Sequence, residues 1–482
     1  MLENNRAATG GDSGGRAALG DGITIAQVRT RVSGAVIAPG DAGYDAARTV
    51  FVGGIDRRPA VIVRAADATD VSAVVALARQ TGLQLAIRSG GHSAAGHGVC
   101  DDGIVLDLSP MRALQIDAEQ RTAWADAGLT AGEYSAAADA YGLATGFGDT
   151  GSVGIGGITL GGGIGYLVRK HGLTIDDLLA ADVVTADGQL VRADTENNPD
   201  LFWAIRGGGG NFGVVTRFLF RLHEVDTVVG GMLVLPATPE VIRSFVAAAE
   251  SAPEELTTIA NIMTAPPLPF LPAEYHGKII ILAMLLHAGS SSDAGQRAIA
   301  PFRALTTPIA DMVRPMRYPE IYPPEQAGYH PLASGRSLFV DTVDDMAATT
   351  IIDQLESSTA SMAVAQLRVL GGAMARVPVE ATAFAHRRRR VLVNVAAVYQ
   401  RADEAAAHES WVTRFARMLQ RGDAAVYVNF LGQENDARVR DAYPGPTWDR
   451  LAAVKARYDP TNLFRVNHNV PPGNRPPTLE VL

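Results

Sequence analysis

The chain has 482 residues, of which 47% are hydrophobic and 19% charged, a composition typical of a globular protein. Its formal net charge of −9 excludes the broad basic surface that nucleic-acid binding requires. The single cysteine excludes an intramolecular disulfide, and no apolar run approaches the roughly 20 residues that span a bilayer. We therefore expect a cytoplasmic monomer or homodimer without nucleic-acid or membrane partners, built from two domains because the chain is too long for one core.

The first predicted elements are a tail, a strand and a helix. Residues 1–22 are rich in Gly, Ala, Asp and Arg and lack an apolar stretch, which predicts a disordered tail rather than a signal peptide. A short apolar run at 60–63 predicts a strand. The next apolar stripe has helical spacing, and we expect Thr69 to cap this helix at its start and Gly82 to end it.

A glycine loop with one histidine, Arg88-Ser89-Gly90-Gly91-His92-Ser93, directly follows an apolar strand at 85–87. Small residues let backbone N–H groups converge on an anion such as a cofactor phosphate. A surface loop without function is the alternative. His97 follows five residues later, but a His pair without a third ligand candidate nearby seldom makes a metal site, so we expect none.

Glycines are also dense between residues 146 and 165, after a predicted helix that starts at Thr130 with capping-box spacing. Two stretches, 146–151 and 208–213, match the dinucleotide-binding pattern GxGxxG as text. Neither opens a helix after a strand with an acidic residue about 20 positions on, so we reject a nicotinamide dehydrogenase. A strand at 181–186, a turn and another strand lie between the two.

The pattern of predicted elements changes near residue 226. Helix candidates at 239–252, 343–356 and 404–419 alternate with strand candidates at 278–286, 364–370 and 391–399. This order suits a second domain in which helices cover one face of a sheet. The basic run 386–390 is interpreted as a solvated turn or face.

Four blocks in this order resemble the berberine-bridge-enzyme-like oxidases of the vanillyl-alcohol oxidase / p-cresol methylhydroxylase (PCMH) flavoproteins. They are the His92 loop, the glycine stretch 154–166, the run 200–215, and the C-terminal Tyr-Asp-Pro-x-Asn-x-Phe and Asn-x-Asn-x-Pro motifs. The resemblance implies an α+β, two-domain PCMH-type FAD-binding fold with a mixed α/β substrate domain, an antiparallel sheet covered by helices. The expected division is an FAD-binding domain at 23–226, a substrate domain at 227–440 and a C-terminal segment at 441–482 that returns to the FAD domain.

The resemblance also implies that His92 carries FAD covalently on the 8α carbon. Many relatives add a second bond through a cysteine, but Thr150 stands at that position here and Cys100 lies elsewhere. We therefore expect a single histidyl bond, as in bacterial monocovalent members. The expected cofactor contacts are Arg88, Ser89, Gly90, Gly91, His92, Ser93, His97, Thr150, Gly151, Val153, Gly154, Gly156, Gly157, Gly161, Gly163, Gly165, Tyr166, Gly213, Val215, Asn467 and Asn469.

The family pattern further implies that Tyr427 is the catalytic base. Tyr427-Val428-Asn429 matches the family's Tyr-x-Asn motif, and in an alternating strand Asn429 points to the same side as Tyr427 and supports it. Val153 stands where valine in relatives admits dioxygen and leucine blocks it. These residues predict an oxidase of secondary metabolism that takes hydride from a hydroxylated small molecule and makes hydrogen peroxide. The alternatives are a dehydrogenase with another electron acceptor and a flavin-bearing binding or resistance protein without turnover.

Overall fold

The computed structural model describes residue 19 and residues 22–289, 291–322 and 328–473. The tail predicted at 1–22 lies outside the described residues, except for Leu19 and Gly22. The strands are β1 (Ala35–Ile37), β2 (Val61–Arg64), β3 (Leu85–Arg88), β4 (Ile104–Asp107), β5 (Leu114–Asp117), β6 (Thr122–Asp126), β7 (Leu143–Ala144), β8 (Leu178–Val184), β9 (Leu190–Ala193), β10 (Val214–Arg221), β11 (His223–Glu224), β12 (Thr227–Pro236), β13 (Leu256–Thr264), β14 (Ile279–His287), β15 (Ala310–Asp311), β16 (Arg314–Arg317), β17 (Leu332–Val340), β18 (Met362–Val369) and β19 (Val391–Tyr399).

The α-helices lie between these strands and after them. They are α1 (Ile25–Arg31), α2 (Tyr44–Arg48), α3 (Ala68–Thr81), α4 (Ala131–Asp139), α5 (Ile155–Leu160), α6 (Val168–His171), α7 (Pro199–Ile205), α8 (Pro239–Ser251), α9 (Ser292–Arg303), α10 (Asp345–Glu356), α11 (Ala373–Arg376), α12 (Ala405–Leu419), α13 (Asp436–Ala442) and α14 (Pro446–Tyr458). Of the helices in the described ranges, none is both long and apolar enough to cross a membrane.

A four-stranded sheet of order β1-β2-β4-β3 carries the histidine loop at the end of β3. β4 pairs in parallel with both β2 and β3, and α3 makes the crossover between them. The predicted cap at Thr69 is wrong, because the side chain of Asp67 accepts hydrogen bonds from the amides of Thr69 and Asp70. Gly82 ends the helix as predicted, with a φ of 69° that favours glycine.

An antiparallel five-stranded sheet of order β5-β6-β10-β8-β9 packs with the first sheet around one hydrophobic core. The predicted capping box is confirmed: the Thr130 hydroxyl accepts from the Glu133 amide, and the Glu133 carboxylate accepts from the Thr130 amide. These contacts fix the start of α4, and an isolated bridge then pairs Thr130 with Gly154 in the glycine stretch. The two sheets therefore hold the histidine loop and the glycine stretch at neighbouring positions.

The large sheet is antiparallel and eight-stranded, with the order β15-β12-β14-β13-β18-β19-β17 and β16 beside β12. Helices α8, α9, α10 and α12 cover one face through residues such as Phe245, Phe302, Ile351 and Phe415. The strand predicted at 391–399 is confirmed with the same bounds as β19, and those at 278–286 and 364–370 correspond to β14 and β18. All described strands of this sheet lie within 227–399, while the domain boundaries themselves stay predictions.

The basic run at 386–390 contains a turn at residues 387–388, and Arg388 and Arg390 are exposed as predicted, but the first two residues of the run are not solvated. The side chain of Arg387 is fully buried, and its guanidinium donates to both carboxylate oxygens of Asp176, at 2.7 and 2.8 Å, and to the Thr382 hydroxyl. His386 is also buried, and burial lowers its pKa to about 4. A run of charges does not reveal a partner more than 200 positions away in the chain, which is why the sequence pattern misled here.

Candidate active site

A cavity of about 970 Å³ lies where the histidine loop, the glycine stretch and the C-terminal segment meet the large sheet. The volume is at the upper end of the roughly 300–1,000 Å³ typical of small-molecule and cofactor sites. β17 and β19 contribute one wall, including Arg336 and Asn394, and the segment 427–433 contributes another. The cavity therefore joins the parts of the chain in which the sequence motifs were found.

The histidine loop is held to the end of β3 by Arg88, which is buried. Its guanidinium donates to the Asp107 carboxylate at 2.8 Å and to the Ala47 carbonyl at 2.6 Å. The Ser89 hydroxyl donates to the Ala127 carbonyl at 2.6 Å. These contacts fix the loop, so that His92 is presented at the cavity wall.

Glycine is required where the histidine loop passes the glycine stretch. A Cβ on Gly90 would lie 2.3 Å from the Gly154 amide nitrogen, and one on Gly154 would lie 2.2 Å from the Gly90 amide nitrogen. Two backbones this close leave no room for side chains at either position. The spacing of glycines in both motifs thus has a steric cause.

Most of the predicted cofactor contacts line the cavity. These are Arg88, Ser89, Gly90, Gly91, His92, Ser93, His97, Thr150, Val153, Gly154, Gly156, Gly157, Gly213, Val215 and Asn467. Outside the wall lie Gly151, Gly161, Gly163, Gly165, Tyr166 and Asn469. Tyr166 is buried in an apolar cluster beside the large sheet, and a Cβ on Gly165 would lie 2.2 Å from the Phe147 carbonyl oxygen, so both pack against protein.

Tyr427 and Asn429 lie together at the cavity, but not in the predicted alternating strand. Tyr427 precedes a 3₁₀ turn, Val428–Phe430, which brings the two side chains into contact. The phenol oxygen accepts hydrogen bonds from the Asn429 side-chain amide at 2.8 Å and from the Gly163 amide at 3.0 Å. The predicted support of Tyr427 by Asn429 is thus present, with a turn in place of a strand.

The electrostatics of Tyr427 combine burial with three favourable contacts. Burial is the largest effect and leaves the pKa of Tyr427 above its ordinary value, whereas the hydrogen bonds from Asn429 and Gly163 and the nearby Arg368 guanidinium lower it in part. Two donors on one phenol oxygen favour its ionised form, since a phenolate accepts more strongly than a phenol. The surroundings therefore oppose the desolvation that would keep a buried tyrosine protonated.

Sequence reasoning missed Arg368 and Asp149, which both line the cavity. Arg368 Nη2 donates to Asp149 Oδ2 at 2.7 Å, and its Nη1 donates to the Ile164 carbonyl at 3.2 Å. The guanidinium also lies 4.9 Å from the centre of the Phe430 ring. The available signal was weak: Gln366 and Arg368 alternate with apolar residues in a predicted strand, which indicates a polar face opposite the helices.

Three histidines face the cavity and are held neutral by burial. Burial lowers the pKa of His92 to about 4, of His97 to about 3 and of His468 to about 4. The rings of His97 and His468 meet edge to face with centres 4.6 Å apart. Within the described ranges, no group of three or more His, Cys, Asp or Glu side chains is arranged to hold a metal ion.

The C-terminal segment is tied to the loop at 208–211 by Asn211 and Lys455. The Asn211 side-chain amide donates to the His468 carbonyl at 3.2 Å, and its oxygen accepts from the Val470 amide at 2.9 Å. Lys455, fully buried, donates to the Asn211 carbonyl and to the Asp459 carboxylate, both at 2.7 Å. This network holds Asn467 against the cavity.

The cavity residues fit FAD. The volume suits a large cofactor, and the glycine backbones at Gly90 and Gly154 leave a side-chain-free surface of the kind that approaches a phosphate or a ring. The Asn467 side-chain oxygen is buried and has no hydrogen-bond partner among the described residues, so it can accept from a ligand hydroxyl or N–H.

Comparison with known proteins agrees with this assignment of the cavity. A family model described as FAD binding domain matches residues 59–194, and one described as berberine and berberine like matches residues 426–471. The first contains His92 and the glycine stretch, and the second contains Tyr427 and Asn467. The two models thus cover the main parts of the chain that surround the cavity.

Similarity to known oxidases also extends over most of the chain. (R)-6-Hydroxynicotine oxidase of Paenarthrobacter nicotinovorans is 30% identical over 467 residues, which cover 92% of this chain and 97% of the relative. Xylooligosaccharide oxidase of Thermothelomyces thermophilus is 29% identical over 457 residues, 86% of this chain and 87% of the relative. The crystal structure of 6-hydroxy-D-nicotine oxidase from Arthrobacter nicotinovorans superposes with a TM-score of 0.82 at 28% identity, covering 92% of this chain and 98% of that one.

Proposed function

Because the chain belongs to the berberine-bridge-enzyme-like family of FAD-linked oxidoreductases, we propose that it is an oxidase that removes hydride from a C–OH group of a small molecule. The expected α+β, PCMH-type fold is confirmed. FAD, when bound, supplies a hydride acceptor whose electrons pass on to dioxygen, which leaves as hydrogen peroxide. The protein's part is to hold FAD, orient the substrate and take the hydroxyl proton.

The position of Tyr427 carries the proposal. Tyr427 lines the cavity, and its phenol oxygen accepts from Asn429 and Gly163, so the tyrosine is held in one orientation. A base must reach the substrate proton directly or through one water, and a fixed phenol at the wall meets that requirement. We assign Tyr427 as the base and Asn429 as the residue that positions it.

The positive charge of Arg368 supports the role of Tyr427 as the base. A phenol with an ordinary pKa of about 10 is a weak source of base at neutral pH. Arg368 lowers the pKa of Tyr427 against the larger, opposite effect of burial, and Asp149 in turn holds the guanidinium in place. The proton that Tyr427 takes from the substrate hydroxyl is thus accepted beside a fixed positive charge.

We propose that FAD is attached through His92 alone. His92 lines the cavity with a neutral imidazole, the protonation state that a nitrogen nucleophile needs. Thr150 also lines the cavity but has a hydroxyl where a second attachment would need a thiolate. Cys100 is buried outside the cavity wall, and burial raises its pKa to about 11, so its thiol stays protonated.

Val153 supports the choice of dioxygen as electron acceptor. It lines the cavity between Thr150 and Gly154, and its carbonyl accepts from the Ala131 amide at 2.9 Å, which fixes the backbone there. A branched but short side chain at this point leaves more space than leucine. We propose that this space admits dioxygen.

The wall formed by the large sheet and α12 indicates a hydroxylated substrate with an apolar face. Asn394 on β19 and Arg336 on β17 offer polar groups on this wall. Small side chains line another part of it: Ala333, Ala396, Ala402, Ala405 and Ala406. The relatives named above act on hydroxynicotine and xylooligosaccharide. For this chain we propose a secondary metabolite, polyketide or sugar alcohol.

The test is anaerobic mixing of the purified yellow protein with hydroxypyridines, short oligosaccharides and phenolic polyketides, followed by air. An oxidase substrate bleaches the visible flavin absorbance, and air restores it with release of hydrogen peroxide. Bleaching without recovery in air identifies a dehydrogenase with another acceptor. Tight binding of a compound without bleaching favours the binding or resistance protein.

A further inference from the structure

Phe51 lies directly against the histidine that we propose as the attachment point. The Phe51 and His92 rings are stacked, with centres 4.1 Å apart and planes 17° from parallel. The Phe51 amide donates to the Gly91 carbonyl at 3.1 Å, so backbone and ring both contact the histidine loop. Phe51 thus fixes the plane of the imidazole.

The segment around Phe51 is braced on its other side by the start of β17. His330 Nδ1 donates to the Val50 carbonyl at 2.9 Å, and the Gly53 amide donates to the Pro331 carbonyl at 2.8 Å. The Tyr329 ring meets Phe51 edge-on, with centres 6.5 Å apart. Since both flanks of residues 50–53 are bonded, the Phe51 ring is a fixed surface rather than a loose side chain.

We propose that Phe51 is a positioning residue for the covalent attachment of FAD: it holds the His92 imidazole in the plane from which a ring nitrogen reaches the 8α carbon. The proposal rests on the proposed function, which includes attachment at His92. The lone pair that forms the bond lies in the ring plane, so a stack on the ring face orients it without occupying it. Orientation of a nucleophile before reaction is a large part of its effectiveness.

The attachment step balances with dioxygen as the oxidant. One imidazole N–H bond and one C–H bond of the 8α methyl break, and one N–C bond forms. The two protons and two electrons released go to dioxygen, which becomes hydrogen peroxide. The imidazole must be neutral beforehand, because a protonated ring has no free lone pair.

The Phe51 ring covers one face of the His92 imidazole, which gives the proposal a second observable. Burial lowers the pKa of His92 to about 4. The charged and titratable groups on the packed segments are Arg88 with its partner Asp107, Arg57, His97, Tyr329 and His330. Without the Phe51 ring, water reaches the imidazole and its pKa moves toward the ordinary value near 6.5.

The experiment follows attachment itself. Flavin-free protein from riboflavin-limited cells is mixed with FAD in air, samples are denatured in acid, and the flavin fluorescence that stays with the polypeptide is measured over time. Total bound flavin before denaturation is measured in parallel. The variants are Phe51→Ala, Phe51→Leu and Phe51→Tyr, with Phe270→Leu as the matched control, because Phe270 is partly exposed and lies outside the cavity wall.

We expect Phe51→Ala and Phe51→Leu to bind FAD but attach it about 3- to 10-fold more slowly at pH 7.5, the scale of one aromatic stack. Phe51→Tyr, which keeps the ring, and Phe270→Leu should attach at the parent rate. Between pH 7.5 and pH 5.5 the deficit of Phe51→Ala should widen by up to about tenfold, since a histidine of ordinary pKa becomes protonated there.

Each outcome decides a separate claim. If the parent itself attaches no flavin, the single histidyl bond of the proposed function fails. If the parent attaches flavin and Phe51→Leu attaches it at the parent rate and pH profile, the role of Phe51 is overturned. Equal slowing in Phe51→Leu and Phe51→Tyr would also overturn it, because the ring would then not matter.

Discussion

Arg368 and Asp149 form an ion pair at 2.7 Å across the cavity, between β18 of the large sheet and the loop before the glycine stretch. The pair places a buried cation beside Tyr427 and joins two parts of the chain that are 219 positions apart. It therefore sets the electrostatics of the candidate base and the relative position of the two walls.

Arg368→Met should shift the pH dependence of turnover. Arg368 lowers the pKa of Tyr427, so its removal raises that pKa, and the rising limb of kcat/KM should move to higher pH. Arg368→Lys keeps the charge and should move the limb less. A limb that stays in place in Arg368→Met would show that this charge does not act on the base.

Tyr427→Phe should slow the reductive half-reaction. Loss of a general base typically costs about 10²–10⁴ in rate, so flavin bleaching by substrate should fall by a factor of that order. Reoxidation in air should stay nearly unchanged, because no substrate proton is taken in that step. Both rates are measured by stopped-flow absorbance.

A suitable control for this variant is Tyr318→Phe. Tyr318 is fully buried and lies outside the cavity wall. If Tyr427→Phe bleaches as fast as the parent and the control, another residue is the base.

Val153→Leu should affect reoxidation, the half-reaction that Tyr427→Phe leaves nearly unchanged. The larger side chain fills space at the cavity wall, so reoxidation should slow while reduction by substrate stays nearly intact. The same stopped-flow experiment measures both rates, and Tyr427→Phe serves as its counterpart. Unchanged reoxidation in Val153→Leu would contradict the assignment of Val153 as the path for dioxygen.

His92→Ala should still bind FAD but release it on acid denaturation. In the parent, flavin should remain with the precipitated polypeptide, and a peptide map should place it on His92 alone. Thr150→Cys offers a thiol at the position of the second bond in relatives and should add a second attachment. A flavin-bearing peptide containing Cys100 or Thr150 in the parent would contradict the single histidyl bond.

Lys455→Met should destabilise the fold strongly. Lys455 and Asp459 are both fully buried and paired, and loss of the lysine leaves a buried carboxylate without its partner. Breaking such a pair typically costs about 3–5 kcal/mol. The thermal unfolding midpoint should fall, and Lys455→Met/Asp459→Asn should recover part of the loss. Equal midpoints for the single and double variants would show that the uncompensated charge is not the cause.

The sequence predicted helices and strands correctly where residues within the same element determine its start and end. The capping box at Thr130 and Glu133 and the bounds of β19 needed only residues within one element. The cap of α3 was missed because Asp67 and Thr69 are both good caps. The choice between them depends on the surrounding backbone, where the Asp70 carboxylate also accepts from the Ser33 amide.

In the candidate site, too, the sequence predicted some residues and missed others. The glycine motifs identified His92 and Gly154, because positions where two backbones lie this close require glycine, and clusters of glycine can be recognised in the sequence. Phe51 and Arg368 left no such trace, since a phenylalanine or an arginine in a short run is compatible with many environments. Their roles depend on partners that only the folded chain brings close.

The network around Asn211 also has a consequence for biosynthesis. Asn211 bonds to the backbone at His468 and Val470, which leave the ribosome long after the histidine loop has been made. A nascent chain that ends before residue 467 has the glycine loops but lacks the strap that places Asn467 at the cavity. Stable loading with FAD is therefore expected only after this segment has been made, so nascent chains that end before residue 467 should carry no attached flavin.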